Sequence, residues 1–214
     1  MDVSTELVQA YLHVNGYFTA TDYPLLETRR RKPSRIVTDI DVLAVRFAQP
    51  HGKTDPGQAS TQNVGITGPV VQTIDPVLKS PVDRTDMIVA EVKQGLARVN
   101  PAARNKRTLV AALERFGCCD SDHAPDVVAR LLADGSATSP DGHVVRMVLF
   151  ASRGEGPPRG WHWIHLGHVV TYLSHYMQRR EDLLKHADLH DRALSWLSLL
   201  QKCNLTVSHK RRAD

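Results

Sequence analysis

Met87-Ile88-Val89-Ala90-Glu91-Val92-Lys93 is an apolar run broken only by Glu91 and closed by Lys93. A strand with one wet face alternates apolar and polar residues, so an uninterrupted run predicts a central strand covered on both faces. A second stretch, Thr38-Asp39-Ile40-Asp41-Val42-Leu43-Ala44, places two carboxylates in another apolar run. Alternation along a strand puts Asp39 and Asp41 on one face and Ile40 and Val42 on the other. By the same rule Glu91 and Lys93 share a face, with Val92 opposite. An unpaired charge costs several kcal/mol to bury. Charges on two neighbouring strands are therefore expected to meet.

Working outward, residues 4–15 read as a helix that Ser4 or Thr5 can cap and Gly16 ends. Tyr17 to Leu26 and Arg35 to Phe47 read as a hairpin, joined by the basic turn Arg29-Arg30-Arg31-Lys32-Pro33. Residues 48–85 are rich in Gly, Pro, Ser, Thr, Asp and Gln, with a weak apolar patch at 70–74. A loop of that length is functional or disordered. Helices are predicted at Asn100 to Phe116, Pro125 to Ala133, Ile164 to Arg179 and Leu183 to Leu200, and a further strand at His143 to Ala151. The order implies one α/β domain with a central mixed β-sheet flanked by helices, plus C-terminal helices.

With 214 residues, one sizeable domain can bury a core. A net charge of +4 is compatible with a polyanionic partner without demanding one. The cysteines Cys118, Cys119 and Cys203 form neither an even disulfide framework nor a zinc spacing, which suits a reduced, cytoplasmic setting. No signal-peptide pattern or long apolar span is present, so no membrane association is expected.

Two aspartates, a glutamate and a lysine gathered on adjacent strands form an oxygen-rich set suited to Mg²⁺ or Mn²⁺, which keep positions open for water and phosphate. Such a metal lowers the pKa of bound water and neutralises charge at a phosphodiester. Lys93 would orient that water or stabilise the same charge. The bland alternative is a structural Glu91–Lys93 or Asp–Lys ion pair at a strand end.

Asp41 followed by Glu91-Val92-Lys93, after Tyr11-Leu12-His13-Val14-Asn15-Gly16-Tyr17, resembles the PD-(D/E)XK nuclease superfamily, with its restriction-endonuclease-like and Holliday-junction-resolvase-like members. The resemblance implies a core over residues 1–151, carrying 48–85 as a long insertion. A helical extension over 152–214 would pack on the same domain and end in the basic tail 208–214. It implies Asp41, Glu91 and Lys93 as catalytic residues. Asp41, Glu91 and the Val92 carbonyl would be metal ligands, with Mg²⁺ or Mn²⁺ as cofactor. The family's helical acid falls at Thr5, so its neighbour Glu6 is the fourth ligand candidate, while Asp39 flanks or assists. The implied activity is an endonuclease-like hydrolase acting on nucleic acid, DNA ahead of RNA, with homodimerisation common in the family.

Two rival readings keep the residues and change the function. One is a catalytically inactive nucleic-acid-binding or regulatory subunit with a degenerate metal site. The other is a structural, oligomeric interaction protein in which Glu91–Lys93 is a plain salt bridge. His162, His165, His168 and His175 would spread too widely around a helix for one zinc ion and read as packing residues near Trp161 and Trp163. Arg29, Arg30, Arg31 and Lys32, with Arg104, Lys106 and Arg107, could track a phosphate backbone or simply be solvated. The stripe Leu184, Leu194, Trp196, Leu197 and Leu200 reads as core or a dimer face.

Overall fold

The computed structural model describes residues 2–29, 32–48, 74–154, 156–179 and 191–205. In chain order the elements are α1 (Val3–Val14), β1 (Phe18–Arg29), β2 (Lys32–Arg46), β3 (Asp86–Leu96), α2 (Lys106–Phe116), α3 (Ala124–Asp134), β4 (Ser136–Thr138), β5 (Val144–Arg153), β6 (His162–His165), α4 (Leu166–Arg179) and α5 (Arg192–Lys202). The strands form one mixed six-stranded sheet in the order β1-β2-β3-β5-β4, with β6 also paired to β5. The architecture is α/β, as the sequence predicts. β3 is central, antiparallel to β2 and parallel to β5.

Alternation along β3 divides the core into two layers. Met87 and Val89 join Leu43, Leu149 and Ala151 under α2 and α3. Ile88, Ala90 and Val92 join Val42, Val148 and Phe150 under α1, α4 and α5. Both faces of β3 are thus covered, which is why its sequence does not alternate.

Several local readings change. Asp2 caps α1, accepting from the Ser4 N–H at 3.2 Å, while Ser4 and Thr5 are buried in the first turn. The predicted helix from Asn100 divides in two. Asn105 breaks it, its side chain accepting from Arg107 N–H at 3.0 Å, so that a 3-10 turn Pro101–Arg104 precedes α2. His162 and His165 lie on β6, a strand that the helical reading of 164–179 missed, and His168 and His175 lie on α4. β6 carries the sheet beyond residue 151. In the C-terminal region the described helix begins at Arg192, so Leu184 lies outside the described residues, as do Arg30, Arg31, most of the 70–74 patch and the basic tail beyond Leu205.

The return of the long insertion is part of the core. Asp75, 3% exposed, accepts from the Tyr11 hydroxyl at 2.7 Å and pairs with His168 Nε2 at 2.6 Å. Its N–H donates to Asn15 Oδ1 at 2.8 Å. Burial pushes the Asp75 carboxyl up, but the hydrogen bonds from His168 and Tyr11 outweigh it and leave it below its ordinary value. His162 Nε2 meets the Val77 carbonyl at 2.7 Å, and Arg146 Nη1 donates to the Leu78 carbonyl at 2.6 Å. Of the stretch 48–85, only residues 49–73 lie outside the described residues.

Gly135 ends α3 with φ +78°, and a Cβ there would lie 2.5 Å from the Gly160 carbonyl oxygen and 2.7 Å from its carbon. Gly142 has a similar φ of +81° but open space around it. A non-glycine residue at such φ costs about 1–2 kcal/mol. Gly135→Ala adds a clash with backbone, which cannot rotate away. Its melting temperature is expected to fall by roughly 4–8 °C, from a loss of about 2 kcal/mol or more in a chain of this size. Gly142→Ala should fall by clearly less. Equal losses in thermal melts would show that the Gly135–Gly160 approach is not a packing constraint.

Candidate active site

β2 and β3 pair from Arg46↔Asp86 to Val42↔Ala90, and there the described register ends. β2 continues paired to β1 alone, down to Arg29↔Lys32. Asp41 stands at the fork. Its Oδ2 accepts the Val92 N–H at 2.7 Å, so a side chain replaces the acceptor that the β2 backbone would have offered. A strand residue sends its N–H and C=O toward the same edge. The Val92 carbonyl therefore also points to the edge that β2 vacates.

Alternation brings Glu91 and Lys93 to the α2–α3 face of β3. Lys93 Nζ lies 2.6 Å from Glu91 Oε1 and 3.8 Å from Asp41 Oδ2. The side chains differ sharply in access: Glu91 is 4% exposed, Asp41 27% and Lys93 35%. Glu91 Oε1 also accepts the Asn100 N–H at 3.3 Å. Burial pushes the Glu91 carboxyl above its ordinary value, and the Asp41 charge adds to that push. Lys93 and the Asn100 N–H oppose it without cancelling it. A carboxylate destabilised in this way, beside a half-open cation and a second carboxylate, has the electrostatics of a functional site.

Asp41, Glu91 and Lys93 are thus brought together as the sequence predicts. Two predicted positions are not. Glu6 lies on the other side of the sheet, 3.3 Å from Arg192 Nη1, and lines a groove of about 500 Å³ with Leu7, Trp196 and Leu200 between α1, α4 and α5. It is no ligand for a metal between Asp41 and Glu91, because α1 turns that face toward α5. Asp39 is exposed, and the expected sharing of a face with Asp41 fails locally. Ile40 belongs to the layer under α2 and α3 while Val42, two residues on, belongs to the opposite one. The strand's alternation slips at Asp41, where β2 leaves β3. Asn100 is an addition no motif signals, since it contributes a backbone N–H.

The donor set can be tested against a divalent ion. Asp41 and Glu91 already share one cation, the Lys93 ammonium, so their oxygens converge on a common point. With the Val92 carbonyl edge they offer hard oxygen donors, and Mg²⁺ sites are commonly completed by one or two carboxylates, water and substrate phosphate. Among the described residues, no group of three or more His, Cys, Asp or Glu side chains is clustered for a metal. The fit is that of a sparse, two-carboxylate site.

Exposed cations line the chain just beyond the site: Arg98, Arg104, Lys106 and Arg107, with no acidic residue between Glu91 and Glu114. The 3-10 turn carrying Arg104 packs on β2, and α2 packs on β1, so these residues belong to the Glu91 face of the sheet. No helix among the described residues is long and apolar enough to cross a membrane. Compared with known proteins, the chain matches no family model, no curated protein and no solved structure.

Proposed function

We propose that this chain is a metal-dependent nuclease that hydrolyses phosphodiester bonds of DNA, on a core of restriction-endonuclease-like type. The observation that carries the reading is the fork between β2 and β3. There two carboxylates and a lysine converge at a place where backbone pairing stops and solvent enters. A structural ion pair has no need of a split sheet beside it. The element order also supports it: a helix, a hairpin bringing Asp41, then a strand bringing Glu91 and Lys93, followed by crossover helices to a parallel neighbour. In such an open sheet, ligands gather beyond the carboxyl ends of the parallel strands, and Glu91 to Lys93 lie toward that end of β3.

Bound at this point, Mg²⁺ or Mn²⁺ would supply a water of lowered pKa and charge neutralisation at the scissile phosphate. Asp41 and Glu91 would hold it, together with the Val92 carbonyl. Asn100 fixes the Glu91 carboxylate through its backbone N–H. Lys93 donates hydrogen bonds to the attacking water or to a non-bridging phosphate oxygen. Its ammonium is held within reach by the two carboxylates instead of sweeping through solvent.

The test is to incubate the protein and its Glu91→Ala variant with linear, circular and branched DNA in Mg²⁺, Mn²⁺ or EDTA. Cleavage that requires the metal and disappears in Glu91→Ala is the expected result. No cleavage of any substrate by the folded protein overturns the reading. DNA retention in that case would favour a nucleic-acid-binding subunit, in which the Lys93–Glu91 contact is the resting state of a silent site.

A further inference from the structure

β3 and β5 stay paired beyond Lys93, and their register changes there. Lys93 pairs with Ala151 and Leu96 with Arg153, so three residues of β3 (Gln94, Gly95, Leu96) face two of β5 (Ser152, Arg153). The irregularity is tied down on both sides. The Ser152 hydroxyl donates to the Gln94 carbonyl and, at 3.4 Å, to that of Gly95, while the Ala97 N–H returns to the Arg153 carbonyl at 2.7 Å. Bulges of this kind bend a strand and re-aim a side chain, and they gather beside active sites.

The side chain re-aimed here is a cation. Ala151 belongs to the layer under α2 and α3, the face that carries Glu91 and Lys93. Alternation places Arg153 on that face, two residues further along β5. Its guanidinium leans across β3: Arg153 Nη2 lies 3.8 Å from the position a Gly95 Cβ would take. Gly95 does not have a left-handed backbone, so its conformation does not demand glycine. What the missing side chain leaves is open space above the strand. Arg153 is exposed, and among the described residues its guanidinium has no ion-pair partner. Lys93, by contrast, is held by Glu91 and Asp41.

Gly95 lies two residues past Lys93, about 6.6 Å at roughly 3.3 Å per residue. That separation is comparable with the distance between successive phosphates of a nucleic-acid strand. A guanidinium is also the side chain whose planar fork matches a phosphate with two parallel hydrogen bonds. We propose that Arg153 holds the phosphate next to the scissile one. The substrate is then a strand with phosphates on successive nucleotides, and an isolated phosphodiester lacks one of its contacts. Anchoring that neighbour converts remote binding energy into orientation of the scissile phosphate over Asp41 and Glu91. The placement rests on the nuclease reading, whereas the phosphate contact is read by binding in EDTA, where no cleavage occurs.

The experiment compares Arg153→Ala, Arg153→Lys and Lys202→Ala with the original protein. Lys202 is an exposed cation at the end of α5, on the other side of the sheet, and controls for loss of charge alone. In Mn²⁺, kcat/KM is measured for an oligonucleotide duplex and for bis(p-nitrophenyl) phosphate, which has a single phosphate. In EDTA, fluorescence anisotropy follows the labelled duplex across a range of salt concentrations. Arg153→Ala is expected to lose about tenfold or more on the duplex, the scale of a lost charge-assisted contact, with the small ester unaffected. Its slope of log K against log salt should fall by about 0.9, one phosphate contact. Arg153→Lys should keep that slope, and Lys202→Ala should match the original protein in both measurements. Equal losses on duplex and ester would make Arg153 a structural residue and overturn the proposal. So would a salt slope in Arg153→Ala no lower than in Lys202→Ala. If neither substrate is cleaved, the nuclease reading fails and the salt slope still decides whether Arg153 meets a phosphate.

Discussion

Lys93→Ala is expected to slow metal-dependent cleavage by about 10²–10⁴-fold, the range for losing a positioned proton donor or a charge aimed at the transition state. Its binding of Mn²⁺ should not weaken. Lys93 Nζ now sits 2.6 Å from the Glu91 oxygen that a metal would use, and removing it removes a competing cation. Single-turnover rates together with a Mn²⁺ titration separate the two effects. Cleavage at the original rate would end the role assigned to Lys93. Loss of Mn²⁺ binding would mean that the lysine holds the carboxylates in place instead of serving the reaction.

The same variant carries a pH signature. The Glu91 carboxyl is raised in the fold by burial, so the folded chain binds that proton more readily than the unfolded chain. Stability therefore falls as pH rises from the ordinary carboxylate range through the raised value, and is regained on acidification. Without Lys93, burial and Asp41 act on Glu91 with less opposition. The pH dependence of unfolding should steepen in Lys93→Ala, as read by denaturant midpoints across the acidic range.

How much of this could be read from the chain alone differs between layers. β3 was legible because a strand covered on both faces has a continuous apolar signature. The convergence of Asp41, Glu91 and Lys93 followed from strand alternation once β2 and β3 were taken as neighbours. β6 was not legible, since His162-Trp163-Ile164-His165 is four residues long and runs straight into α4. Glu6 was misplaced because sequence distance from a motif carries no information on which way a helix is rotated. The insertion's return was hidden for another reason. Asp75 and Leu78 sit in a polar stretch, and only distant partners such as Tyr11, Asn15, Arg146 and His168 make them core. Buried charge itself proved a weaker sign than the sequence suggests. Asp86 and Arg146 are buried too, and they pair with each other in the core.

That second buried set defines the largest expected effect on stability. At the amino end of β3, Asp86 is wholly inaccessible and accepts two hydrogen bonds from Arg146, Nε at 2.8 Å and Nη2 at 2.6 Å, with a third from the Tyr17 hydroxyl. Arg46 lies over the Tyr17 ring, 5.7 Å from guanidinium to centroid, and its Nε and Nη1 have no hydrogen-bond partner among the described residues. Asp86→Ala strands the Arg146 guanidinium in the core and leaves the Tyr17 hydroxyl with Ser80 as its partner. The expected cost is about 3–5 kcal/mol, as for other buried pairs broken on one side. That is a large share of the roughly 5–15 kcal/mol that holds a domain together. Because the penalty lies in the charge left behind, Asp86→Leu/Arg146→Met should cost less than Asp86→Ala, with the pair strongly non-additive in a double-mutant cycle. Urea midpoints for the original protein, Asp86→Leu, Arg146→Met and the double variant, with Asp86→Ala beside them, decide it. Additive losses would mean that Asp86 and Arg146 act independently, and that Arg146 is held by the Leu78 carbonyl and its packing instead of by the carboxylate.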